Sequence, residues 1–145
     1  IPFLNSNNLK ILLSIMKNKN YNIATLASEI FEKTKIANPN IVKVAMTKYK
    51  SNIFRAIYFS RAPIPFGSKK YYEHVGIYGY KPEALKNFIS CKSSKLEQSE
   101  KLEQLRVLEN SENIFVGIIK NPPISIDTPK DLKKLKKKLN KRKKS

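Results

Sequence analysis

Leu9, Leu12, Leu13 and Met16 recur at the i, i+3, i+4, i+7 spacing of an amphipathic helix. Ser6 or a neighbouring asparagine supplies an N-cap, and Lys17, Lys19 and further asparagines close it. Tyr21 to Leu26 is a short apolar run that predicts a strand. Glu32 to Asn40, with Lys33, Lys35, Asn38 and Pro39, reads as a loop. Two further strands are expected at Ile41 to Met46 and Phe54 to Phe59, joined by a polar turn over Lys48 to Asn52. Ser60 to Gly67 then holds Pro63 and Pro65, which exclude regular structure and predict an ordered loop at a strand end.

Tyr71 to Tyr80 alternates like a strand. Tyr72, His74, Gly76, Tyr78 and Tyr80 share one face, and Val75, Ile77 and Gly79 share the other. A helix starts at Lys81-Pro82-Glu83, with Ala84, Leu85, Phe88 and Ile89 as its apolar side. Ser94 and Glu97 have capping-box spacing, and Ser99 to Asn110 predicts one helix with Leu102, Leu105 and Leu108 as its buried stripe. Ile114 to Ile119 is the next strand, left through Pro122-Pro123. Thr128 as N-cap, Pro129 at the first helical position and Asp131 mark a last helix start, with Leu132, Leu135 and Leu139 inward. Alternating strands and helices argue for an α/β or mixed α+β layered domain.

Composition narrows the partners. The 145 residues suit one domain, and 41% hydrophobic residues suffice for a core. A net charge of +18 raises nucleic acid as a partner. From Pro129 to Ser145, however, ten basic residues face Asp131 alone, so half of that charge sits in the tail. Only Arg55, Arg61, Arg106 and Arg142 carry the bidentate fork that specific phosphate and base readers lean on. Nucleic acid and membrane are therefore not expected partners. Cys91 stands alone, with no disulfide framework or zinc cluster, which suits a reducing cytoplasm. One histidine and one cysteine leave few routes to nucleophilic catalysis.

Candidate chemistry gathers at four places. The tyrosine face around Gly76 reads either as a core edge with a satisfied His74 or as a polar floor where a ligand reaches the backbone. Arg61 has a fixed base in the proline loop, which leaves its fork to grip a carboxylate or phosphate, or to pair with a nearby acid. Glu103 and Gln104 flank the leucine stripe and, from the pattern alone, read as a solvated face. Asp127 lies at a strand-to-helix junction, where it caps the helix or holds a ligand.

Four segments in order resemble the carboxy-terminal half of the CMP-Kdo synthetases (3-deoxy-manno-octulosonate cytidylyltransferases). They are Tyr58-Phe59-Ser60-Arg61-Ala62-Pro63-Ile64-Pro65, His74-Val75-Gly76-Ile77-Tyr78-Gly79-Tyr80, Leu102-Glu103-Gln104-Leu105-Arg106-Val107-Leu108-Glu109 and Asp127-Thr128-Pro129-Lys130-Asp131-Leu132. Ile23-Ala24-Thr25-Leu26 also fits. The resemblance implies a Rossmann-like nucleotidyltransferase fold with a mixed sheet, in a cytoplasmic homodimer. The implied activity is transfer of a cytidylyl group from CTP to the anomeric hydroxyl of Kdo, releasing pyrophosphate, for lipopolysaccharide biosynthesis. Mg²⁺ is the implied cofactor, with Asp127 as its catalytic ligand. Arg61 would meet the sugar carboxylate. Tyr78, Glu103 and Gln104 would bond its hydroxyls, with His74 orienting beside them.

Ile1-Pro2 falls at the end of the family's Gly-Asp-x-Pro motif. Residues 1–140 are thus expected to be the carboxy-terminal part of a single domain whose amino-terminal nucleotide-binding part is missing, with 141–145 as a basic tail. Such a piece is expected not to turn over CTP alone. The alternatives are a cytidylyltransferase for another acidic sugar of the sialic acid type and a basic nucleic-acid-binding module working through the tail.

Overall fold

The computed structural model describes residues 5–123 and 129–142. In chain order the elements are α1 (Ser6–Met16), β1 (Ile23–Ile30), α2 (Lys33–Ala37), β2 (Lys43–Lys50), β3 (Ile53–Ser60), β4 (Tyr71–Tyr80), α3 (Pro82–Ser90), α4 (Lys95–Glu100), α5 (Leu105–Glu109), β5 (Phe115–Ile118) and α6 (Pro129–Arg142). The expected α/β fold with a mixed sheet is present. Its five strands run in the order β1-β4-β2-β3-β5, and β5 returns to β1, so the sheet closes on itself. The β1–β5 pair is parallel, while β1–β4, β2–β3, β2–β4 and β3–β5 are antiparallel.

Closure splits the apolar residues of β1 between two cores, as the period of two along a strand requires. Ile23 and Ala27 join Val44, Phe59, Leu105, Ile114 and Val116 in one. Ala24 and Leu26 join Leu12, Ile15, Val75 and Phe115 in the other, beneath α1. In β4, Tyr72, Tyr78 and Tyr80 pack on the first core and Val75 and Ile77 on the second, so the two faces read from the sequence hold. The tyrosine face is nevertheless packed rather than open. Gly79 is where α1 crosses β4, since a Cβ there would lie 2.8 Å from Met16 Cγ.

Several local expectations are corrected. Residues 32–40 are not all loop, because Lys33–Ala37 form the short helix α2. β1 runs on to Ile30, since its pairing with β4 continues to Ile30 opposite Tyr71. The single helix expected over Ser99 to Asn110 is broken. Lys101 takes a left-handed conformation at the end of α4 (φ 58°), and helix resumes only at Leu105. That break resets the phase, so Leu102, Leu105 and Val107 are buried and Leu108 only partly so. On α3 only Ala84 is buried, with Phe88 one turn on packed against the core and Leu85 and Ile89 exposed. On α6, Leu135 is buried while Leu132 and Leu139 remain 42% and 40% exposed, so the stripe touches the body at one turn. Other expectations stand. Asn5 caps α1, the Glu97 carboxylate accepts from the Ser94 backbone N–H at 3.0 Å, and Asn110 closes α5. No described helix is long and apolar enough to cross a membrane.

Candidate functional site

The site begins with an irregularity in the β1–β4 ladder. Thr25 pairs with Tyr78, but the next residue, Leu26, pairs with Val75, so Gly76 and Ile77 bulge out of register. The Thr25 hydroxyl, fully buried, donates to Ile77 O at 2.7 Å, with Val75 O 3.2 Å away. A Cβ added at Gly76 would meet nothing within 4 Å, so the backbone at the bulge opens onto free space.

His74 and Tyr78 flank this gap, with ring centroids 5.3 Å apart. His74 Nε2 lies 3.0 Å from Thr25 Oγ1, and its ring packs edge-on against Phe59 at 5.0 Å. Burial lowers the His74 pKa to about 4, so the imidazole is neutral at pH 7. The Tyr78 hydroxyl is buried without a hydrogen-bond partner. Burial, then the neighbouring Tyr80 and the Glu103 carboxylate, hold its pKa well above 10. An unpaired buried hydroxyl is costly, which makes the Tyr78 hydroxyl a candidate seat for a polar partner.

Glu103 reaches the same place electrostatically. Burial and then Glu103 raise the Tyr80 pKa as well. Glu103 itself is exposed, as expected of a solvated face, but its neighbour Gln104 is buried at 8% exposure, contrary to that expectation. The helix break at Lys101 is the cause, because it turns Leu102 and Gln104 inward and leaves Glu103 outward on an irregular bridge between α4 and α5.

Arg61 holds that bridge. Its Nε donates to Glu100 O at 2.8 Å, Nη1 to Pro39 O at 3.0 Å and Nη2 to Lys101 O at 3.4 Å. The fork expected to be free is thus occupied by backbone carbonyls, a good use of a cation at a helix carboxyl end. The Glu100 carboxylate accepts from Ser60 Oγ at 2.6 Å, Arg61 N at 3.0 Å and Tyr58 Oη at 3.4 Å. Burial alone would raise its pKa, but these bonds and the Arg61 charge hold it below the usual carboxylate value. Lys43, wholly buried at 0% exposure, donates to Asn38 O at 3.0 Å and Ile41 O at 2.6 Å. Burial and then the Arg61 charge lower its pKa, against a smaller opposing pull from Glu100. Lys43 pairs with Ser60 on one side and Glu73 on the other, so β2 couples the arginine loop to the His74 strand.

His74 and Tyr78 are neighbours and Glu103 acts on the Tyr78 hydroxyl, while Gln104 is buried next to Glu103 in the chain and Arg61 ties down the end of α4. Asp127 lies outside the described residues. Among the described residues no group of three or more His, Cys, Asp and Glu side chains could hold a metal. Thr25, Lys43 and Glu100 were missed from the sequence. Thr25 and Lys43 each interrupt an apolar strand, which is the signal that would have found them. A cleft of about 260 Å³ lies elsewhere, between α3 and α5, lined by Ala84, Asn87, Phe88, Arg106, Val107 and Asn110, and holds none of the expected site residues.

Residues 1–114 match the family described as Cytidylyltransferase. Among curated relatives, the 3-deoxy-manno-octulosonate cytidylyltransferase of Bartonella bacilliformis is 45% identical over 137 residues, covering 94% of this chain and 56% of that protein. The protein of the same name from Thermodesulfovibrio yellowstonii is 44% identical over 149 residues, covering 96% and 57%. A solved structure of CMP:2-keto-3-deoxy-manno-octonic acid synthetase complexed with CTP superposes with a TM-score of 0.85 at 30% identity, over 97% of this chain and 58% of that one. The chain spans a little over half the length of the curated relatives it matches.

Proposed function

The chain belongs to the cytidylyltransferase family, and from that premise we propose that it forms the acceptor-sugar side of an enzyme making CMP-Kdo from CTP and Kdo. One observation carries the reading: the Tyr78 hydroxyl is buried without a partner, on a ring 5.3 Å from that of neutral His74. A polyhydroxylated sugar needs donors and acceptors held in a desolvated pocket, with little buried charge to repay. Tyr78, His74 and Gln104 are that mixture, and Glu103 adds an acceptor at the rim.

In the reaction the anomeric hydroxyl of Kdo attacks the α-phosphate of CTP. A new O–P bond forms, the bond to the β-phosphate oxygen breaks, pyrophosphate leaves and the hydroxyl proton is lost. Catalysis of this kind is mainly positioning and charge stabilisation. This chain's residues bind and orient the sugar. Tyr78 and Gln104 bond its hydroxyls, His74 stays neutral beside them, and Arg61, its fork taken up by the Pro39, Glu100 and Lys101 carbonyls, contributes its positive charge for the sugar carboxylate. Mg²⁺, bound through Asp127, would offset phosphate charge. The described residues do not by themselves make a magnesium site, so no step is derived through it.

A cytoplasmic homodimer belongs to the same reading. Its support is the free Cys91 thiol and two aromatic rings, Phe31 at 82% exposure and the fully exposed Phe66, of the sort that an interface covers.

The test is a titration of this chain with Kdo and, separately, sialic acid, followed by NMR of the tyrosine and histidine rings. Kdo is expected to shift His74 and Tyr78, and Tyr78→Phe to weaken binding. Equal responses to both sugars would favour a broader acidic-sugar specificity, and no response to either would overturn the assignment.

A further inference from the structure

We propose that Thr25 is a positioning residue: its hydroxyl holds the His74 ring in the Nε2–H tautomer, so that Nδ1 is the nitrogen left to a ligand and meets it as an acceptor. The argument is proton counting. A threonine hydroxyl has one proton and two lone pairs. Thr25 Oγ1 lies 2.7 Å from Ile77 O and 3.2 Å from Val75 O, and neither carbonyl can donate. An O···O distance of 2.7 Å is that of a made hydrogen bond, so the proton is committed to Ile77 O. The third neighbour, His74 Nε2 at 3.0 Å, must then donate to Thr25. No water competes, because Thr25 is fully buried. The imidazole, neutral at pH 7 for the reason already given, carries one ring proton, and it is on Nε2.

The same hydroxyl explains why a threonine interrupts the apolar run Ile23-Ala24-Thr25-Leu26-Ala27. At the bulge that exposes Gly76, the Thr25 hydroxyl donates to the Ile77 carbonyl while orienting the ring. Its branched Cβ restricts χ1, so the hydroxyl has few alternatives. Nδ1, once left as an acceptor, calls for a ligand O–H. The Tyr78 ring lies 5.3 Å from the His74 ring between centroids, and its hydroxyl has no partner and a proton to give. One sugar hydroxyl that donates to His74 and accepts from Tyr78 would satisfy both. This last step rests on the sugar-pocket reading, whereas the tautomer does not.

His74 is the only histidine, so ¹⁵N-labelled histidine gives one unambiguous spectrum. At pH 7 the wild-type chain is expected to carry its ring proton on Nε2. Thr25→Ser should keep that state. Thr25→Val, or Thr25→Ala if valine crowds Ile77, should release it to a mixture of tautomers. Adding Kdo should shift Nδ1 in the wild type, and losing the hydroxyl should weaken Kdo about fivefold, the effect of one neutral hydrogen bond. An Nδ1–H ring in the wild type, or an unchanged Nε2–H ring without the Thr25 hydroxyl, overturns the proposal. The expected tautomers with no response to Kdo would leave Thr25 in its role and remove the sugar pocket instead.

Discussion

Acidification from pH 7 to 5 should cost this chain about 2 kcal/mol through His74 alone. The unfolded ring titrates near 6.5 and the folded one at about 4, because burial penalises the imidazolium. A folded pKa below the unfolded one means that the contribution is fully present above about 6.5 and is lost as pH falls towards 4. With those two values, linkage takes away about 2 kcal/mol by pH 5 and about 3 kcal/mol in all. Ordinary carboxylates change little in the upper part of this window. Glu73 works in the opposite sense, since burial raises its pKa against the pull of Lys35 and its protonation relieves the folded state. A His74→Phe variant keeps Glu73, so the difference between the two proteins isolates the histidine. The assay is urea unfolding followed by far-UV circular dichroism at half-unit steps from pH 7.5 to 5, with free energies from linear extrapolation. The stability gap between wild type and His74→Phe should narrow or reverse by about 2 kcal/mol over that range. Parallel curves would show that the ring is not held neutral, and the proton-counting argument at Thr25 would lose its premise.

The four remaining expectations test packing, the gap at Gly76, acid stability and the arginine brace. A Cβ at Gly117 would lie 2.9 Å from both Ile11 Cγ2 and Ile15 Cδ1, so Gly117→Ala should lower stability by about 1–3 kcal/mol. Gly76→Val meets open space and should leave the urea midpoint nearly unchanged while raising the Kdo dissociation constant, and unchanged sugar affinity would refute the gap assignment. Glu97, bonded by Arg106 at 2.6 and 2.9 Å and held at a pKa of about 2, supports stability above about pH 4.5 that is lost as pH falls through 2; Glu97→Gln should lower the thermal midpoint at pH 7 and flatten its fall below pH 4.5. Arg61→Lys cannot reach all three carbonyls and should cost about 1–3 kcal/mol in urea unfolding. It should also speed hydrogen exchange at residues 102–105, and exchange at the wild-type rate there would remove the bracing role.

Much of the fold was legible in local pattern. The spacing Leu9, Leu12, Leu13, Met16 marks α1, the alternation from Tyr71 to Tyr80 marks β4 to its ends, and Pro82 and the Ser94–Glu97 box mark helix starts. These features depend on neighbours within four residues, which a sequence displays directly. The resemblance also singled out His74 and Tyr78, whose rings lie 5.3 Å apart between centroids.

Tertiary structure decided what those residues meet. Arg61 looked free in sequence because its partners, Pro39, Glu100 and Lys101, lie 22, 39 and 40 positions away. The helix expected across Lys101 breaks where Arg61 collects the carbonyls of Glu100 and Lys101, a competition that local propensity does not register. The tyrosine face looked like an open floor until sheet closure packed Tyr72, Tyr78 and Tyr80 partly on the core, with open space at the Gly76 bulge. The bulge itself exists only in the pairing of β4 with β1, about 50 residues upstream, where the buried Thr25 hydroxyl bonds the Ile77 carbonyl. Periodicity is a property of one segment, and register, burial and hydrogen-bond satisfaction are properties of two or more segments in contact.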